Sequence, residues 1–125
     1  MYVYYNPNPL GKNTGDCTAR SVSKLLDMSW EEASLALCLQ AIRIGETEEA
    51  PATYGALLKS RGYIREVVPN TCPDCYSVRD FAEDHPQGRF ALATGSHVIA
   101  VIDGSYYDSF DSGSECPVYY WRENG

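Results

Sequence analysis

Three positions carry the chemistry this sequence offers: Cys17, His97 and one of two aspartates, Asp108 or Asp111. A cysteine, a histidine and a carboxylate brought together make a nucleophile, a base and a group that orients the base. Cys17 lies in Thr14-Gly15-Asp16-Cys17-Thr18-Ala19-Arg20, a turn that runs into a helix with Val22, Leu25 and Leu26 on its apolar face. Gly15 is expected to bend the backbone with positive φ, and Asp16 to cap the helix through its carboxylate. A thiol in a first turn meets unpartnered N–H groups at the positive end of the helix dipole, and both favour the nucleophilic thiolate. The Asp16 carboxylate opposes this, so a cationic partner is required. Without one, Cys17 reads as a small buried hydrophobe.

His97 follows Gly95-Ser96 and opens the apolar run Val98-Ile99-Ala100-Val101-Ile102. Asp103-Gly104-Ser105 then turns the chain back as Tyr106-Tyr107-Asp108-Ser109-Phe110-Asp111. A turn centred on Gly104 puts Asp111 opposite His97 and Asp108 on the diagonal, and a one-residue slip exchanges the aspartate that faces the ring. Either carboxylate would fix the tautomer and favour imidazolium, the cation that Cys17 lacks. Asn13, upstream of the cysteine, has an amide N–H to aim at an oxyanion beside the Cys17 N–H, and serves equally as a plain turn residue.

Helices come first in the chain and strands after. Tyr2-Val3-Tyr4-Tyr5 is a short strand, followed by a loop that proline and glycine keep irregular as far as Gly15. Ser29 and Glu32 form a capping box, opening a helix that ends at Gly45. Trp30, Ala33, Leu37 and Ala41 make its apolar stripe, with Cys38 and Ile42 packing beside it. A third helix runs from Thr53 to Arg61, a strand from Tyr63 to Val68, and Ser77 caps a fourth helix. His85 sits in an exposed turn; strands follow at Arg89–Thr94, His97–Ile102, Tyr106–Asp111 and Val118–Trp121. This order predicts an α+β fold, one domain over residues 1–125, with the N-terminal helices packed on one face of a small antiparallel sheet.

The net charge of −7 is offset by no basic run, which argues against nucleic acid or an anionic membrane as partner. No leading segment reads as a signal peptide, and no apolar run is long enough to span a bilayer. Five cysteines without an export signal read as thiols rather than a disulfide framework, which points to a cytoplasmic setting. Cys72 and Cys75 form a CxxC pair, but the second pair that structural zinc needs is missing. They are expected as loop thiols, with metal binding as the alternative. No cofactor is expected.

The order of cysteine at a helix start, histidine at a strand start and aspartate on the next strand resembles the papain-like cysteine peptidase fold. Gly15-Asp16-Cys17-Thr18-Ala19-Arg20-Ser21-Val22 is similar to the Asp-Gly-Asn-Cys-Leu-Phe-Arg-Ala-Ile segment of OTU deubiquitinases, themselves papain-like. Asp108-Ser109-Phe110-Asp111 resembles papain's Asn-Ser-Trp-Gly, in which the asparagine orients the histidine and the tryptophan shields that bond from water. The whole chain resembles small papain-like proteins of bacteria and their phages. The resemblance implies a thiol protease acting on a protein or peptide, with Cys17 as nucleophile, His97 as base, Asp108 as orienting group and Phe110 as shield. Papain's oxyanion glutamine has Gly11 in its place here, which leaves Asn13 as the substitute. The expected reaction is hydrolysis of a peptide or isopeptide bond through a thioester. Acyl transfer of the transglutaminase type, or a catalytically silent binding module on the same fold, are the alternatives.

Overall fold

The computed structural model describes residues 1–69 and 75–124. Ten elements follow in order: β1 (Tyr2–Tyr4), α1 (Cys17–Leu25), α2 (Trp30–Ile44), α3 (Pro51–Ser60), β2 (Tyr63–Val67), α4 (Val78–Asp84), β3 (Arg89–Ala93), β4 (Val98–Ile102), β5 (Ser105–Asp108) and β6 (Tyr119–Glu123). The strands form one sheet in the order β1-β5-β4-β3-β6-β2. The chain is therefore α+β, with helices packed on the sheet.

Strand β4 shows why the layers fall where they do. Successive side chains of a strand point to opposite faces. Val98, Ala100 and Ile102 join the core beneath α1, α2 and α3, whereas Ile99 and Val101 join Phe81 and Ala82 of α4 on the other face. A strand buried on both sides reads as a continuous apolar run, which is how it stands in the sequence. The N-terminal helices α1–α3 share one face as expected, whereas α4 covers the back of the sheet. The sheet is also mixed rather than antiparallel, because β1 pairs parallel to β5 through Tyr2–Tyr106 and Tyr4–Asp108.

Local signals account for most boundaries. Ser29 and Glu32 exchange hydrogen bonds in a capping box, Gly45 closes α2 in the left-handed conformation, and Ser77 with Asp80 repeats the box at α4. Helix α3 begins two residues earlier than expected because Pro51, with its fixed φ, occupies the first turn. The β4–β5 hairpin turns on Asp103 and Gly104, both with positive φ (50° and 83°), as a two-residue connection of matching twist requires. Two expectations on α2 fail: its stripe narrows to Ala33, Leu37 and Ala41, and both Cys38 and Ile42 are exposed. His85 is half-buried, not exposed, stacked on Phe81 with ring centroids 3.8 Å apart.

The cysteines are corrected as well. Cys75 is bonded to Cys116, with Cα atoms 6.0 Å apart, while Cys17 and Cys38 are free. The sulfur of Cys75 is thus neither a loop thiol nor a metal ligand; Cys72 lies outside the described residues. The bond ties the approach to α4 to the segment between β5 and β6, two stretches that no sequence motif connects. Closing a loop of 41 residues restricts the unfolded chain. Cys116→Ser is expected to lower unfolding free energy by about 2–4 kcal/mol, measured by urea denaturation under non-reducing conditions.

Candidate active site

Cys17 is the first residue of α1, half-buried, and the helix start leaves its N–H and those of Thr18 and Ala19 without intrahelical acceptors. The turn before it departs from expectation. Gly15 is not left-handed; Gly11 is, with φ 67°. Asp16 makes no side-chain cap. Its carboxylate instead accepts from Arg20 Nη1 at 2.7 Å and from Trp30 Nε1 at 2.9 Å. A buried guanidinium and an indole N–H outcompete the backbone for it, because a charge-assisted bond is the stronger one. Asp16 thereby pins α1 to α2 and has its own charge compensated, which removes the objection it posed to a thiolate at Cys17.

Helix α1 reaches the histidine strand through Ser21, whose buried Oγ donates to the Val98 carbonyl at 2.9 Å. His97 sits one residue before β4, and its carbonyl accepts from the Thr94 N–H at 2.8 Å, which tightens the β3–β4 connection. The imidazole is buried to 12% exposure, and its Nε2 lies 2.6 Å from Asp108 Oδ2. With Nε2 committed to the carboxylate, Nδ1 is the nitrogen left to face the thiol. Cys17, His97 and Val98 line one cavity, which puts the imidazole and the thiol side by side. Phe110 stacks on the imidazole, ring centroids 5.3 Å apart.

The hairpin register decides between the two aspartates. Ala100 pairs with Tyr107 and Ile102 with Ser105, which places Asp108 on the diagonal from His97. Asp111 has left the strand; its Oδ1 accepts from Tyr106 Oη at 2.6 Å and from the Gly113 N–H. Asp111 is therefore not the carboxylate on His97. Gly113 permits this arrangement, since a Cβ there would overlap the Tyr106 hydroxyl. Asn13 is exposed and is not among the residues that line the cavity at Cys17. Among the described residues no cluster of three histidine, cysteine or carboxylate side chains is placed to hold a metal.

The carboxylate of Asp108 has a full set of donors. Oδ2 takes His97 and, at 2.7 Å, the buried Ser112 hydroxyl; Oδ1 takes the Ser109 N–H at 2.8 Å and Arg20 Nη2 at 3.0 Å. Arg20, Ser21 and Ser112 carry no motif that assigns them these roles. Only the helical spacing from Asp16 to Arg20 hinted at a pair. Tyr54, also unforeseen, lines the cavity beside Cys17 and shares a 2.6 Å hydrogen bond with Tyr119.

The charges follow from these contacts. Burial disfavours the Cys17 thiolate, yet hydrogen bonds from His97 and the Val98 N–H hold the thiol below its ordinary pKa. Burial likewise disfavours the imidazolium, but Asp108 and Cys17 together push His97 up to about 9. Burial also works against the Asp108 carboxylate, and its hydrogen bonds with His97 and Ser112 hold it below the usual range. These shifts all favour the ionic form of the pair, thiolate beside imidazolium, with a carboxylate behind the ring.

Two consequences are measurable. A raised histidine pKa adds stability fully present below about 6.5, the unfolded value, and lost as pH rises through about 9. Ring ¹⁵N shifts of His97 are expected to keep the imidazolium pattern until pH approaches about 9. In Asp108→Asn the midpoint moves down, because the carboxylate that favoured the cation is gone.

No protein-family model, curated protein or solved structure matches this chain.

Proposed function

We propose that this chain is a papain-like cysteine peptidase that hydrolyses peptide or isopeptide bonds of a protein or peptide substrate. The observation that carries the reading is the Cys17–His97–Asp108 set, in which a first-turn thiol shares a cavity with an imidazole held at 2.6 Å by a buried carboxylate. Cys17 attacks the carbonyl carbon, and the developing oxyanion is met by N–H groups at the start of α1. His97, already protonated in the resting pair, delivers its proton to the leaving amine as the C–N bond breaks, leaving a thioester on Cys17 and a neutral imidazole. Water then attacks the thioester, His97 takes its proton, and the carboxylic acid departs as the ion pair is restored. Asp108 stays ionised throughout and holds the ring. Phe110 covers one face of the imidazole near that bond.

The acidic composition supports a substrate other than nucleic acid. Among the described residues no helix is long and apolar enough to cross a membrane. A cytoplasmic setting belongs to the reading, with the Cys75–Cys116 bond weighing against it, since reducing compartments keep such pairs as thiols. Alkylation in intact cells before lysis recovers both as thiols if the setting is cytoplasmic; recovery as the disulfide removes that part of the reading.

The free, exposed Cys38 supplies an internal reference for the central test. Iodoacetamide should label Cys17 much faster than Cys38 at pH 6, read by peptide mass mapping, and His97→Ala should abolish the difference. Equal rates in the parent protein would remove the chemical basis for catalysis.

A further inference from the structure

The cavity at Cys17 does not end at the thiol. It encloses about 260 Å³ between the start of α1 and the β3–β4 connection, lined by Gly15, Thr18, Glu49, Tyr54, Ser96 and His97 among others. A second cavity of about 350 Å³ continues from it, sharing Gly15, Thr18 and Glu49. Its walls come from two sources. Ala19, Trp30 and Leu37 supply apolar surface, and the Trp30 indole is fixed by its 2.9 Å bond to Asp16. Glu48 and Glu49, on the exposed connection between α2 and α3, stand at its rim.

The charges of the second cavity are one-sided. Among the described residues no lysine or arginine lines it. The Asp16 carboxylate is occupied by Arg20 and Trp30, whereas Glu48 and Glu49 take part in no ion pair among the described residues. An apolar wall with an indole, next to two uncompensated carboxylates, complements a side chain that has an aliphatic stem and a cationic end. The net charge of −7 draws the same kind of ligand over a longer range.

We propose that this second cavity is a specificity subsite that receives a lysine or arginine side chain of the substrate next to the scissile bond. The stem lies along Trp30 and Leu37, and the cationic end meets Glu48 and Glu49. The assignment rests on the peptidase reading of Cys17, and it adds the substrate class that reading lacks. Because Glu49 borders both cavities, a cation held there lies beside the reacting carbonyl rather than at a remote exosite.

Two peptidyl acyloxymethyl ketones, alike except for lysine or norleucine at the residue nearest the electrophile, test the proposal. Norleucine matches the lysine stem and lacks its charge. Labelling rates at Cys17 are read by peptide mass mapping, with iodoacetamide run on the parent protein alone. The lysine probe is expected to react about five- to tenfold faster than the norleucine probe, a margin suited to partly exposed ion pairs. That ratio should collapse towards one in Glu48→Gln/Glu49→Gln, and should fall in the parent as salt is raised. A parent Cys17 that iodoacetamide labels no faster than Cys38 overturns the peptidase reading and the subsite with it. Rapid iodoacetamide labelling without lysine preference overturns the subsite alone, as does a preference that survives the double substitution or high salt.

Discussion

A guanidinium with only 4% of its side chain exposed stands between two carboxylates, and the site depends on it. Arg20 reaches Asp16 at 2.7 Å with one nitrogen and Asp108 at 3.0 Å with another. The first contact fixes the turn that presents Cys17, and the second fixes the carboxylate that orients His97. Cys17 and His97 are thus referenced to one cation, although eighty residues separate them in the chain. Such a set is costly to bury and costlier to break, since losing one member strands the others; the penalty is about 3–5 kcal/mol. The planar fork of arginine suits the bridging, where a lysine would offer a single point charge.

Around this bridge the remaining contacts each remove one freedom. Ser21 ties the cysteine helix to the backbone of the histidine strand, Ser112 closes the far side of Asp108, and the Tyr5 N–H holds the Asp108 carbonyl at 2.8 Å. The last of these explains the mixed sheet. Strand β1 lies parallel to β5 and brings Tyr2 and Tyr5 to the backbone of Asp108. The Cys75–Cys116 bond anchors the segment that carries Ser112, so a covalent link lies close behind the hydrogen bonds of the site.

Electrostatic balance gives the bridge its chemical effect. An imidazolium inside the protein would normally lose its proton, and a buried thiol would normally keep its own. Here each charge stabilises the other, and Asp108 tips the pair towards the ionic form. Arg20 in turn compensates Asp108 and Asp16, so neither carboxylate is left as an unpaired buried charge. Glu48 and Glu49 lie outside this network and take part in no ion pair among the described residues.

Local chemistry written in short stretches was legible in the sequence. The capping box at Ser29, the cap at Ser77, the stop at Gly45, the turn at Gly104 and the buried run of β4 depend on neighbours within a few positions. The α+β class followed from their order. Residues that act across the fold were not legible. Asp16 has the composition of a cap, but it serves Arg20 and Trp30, because burial makes a charged partner worth more than an exposed backbone N–H. Cys75 and Cys116 look like unrelated thiols until packing brings their backbones together. Spacing alone left both Asp108 and Asp111 open, because strand register has a period of two and a slip of one residue exchanges faces, and only the resemblance favoured Asp108. Only the closed hairpin, with Tyr106 and Gly113 holding Asp111 aside, put Asp108 on His97.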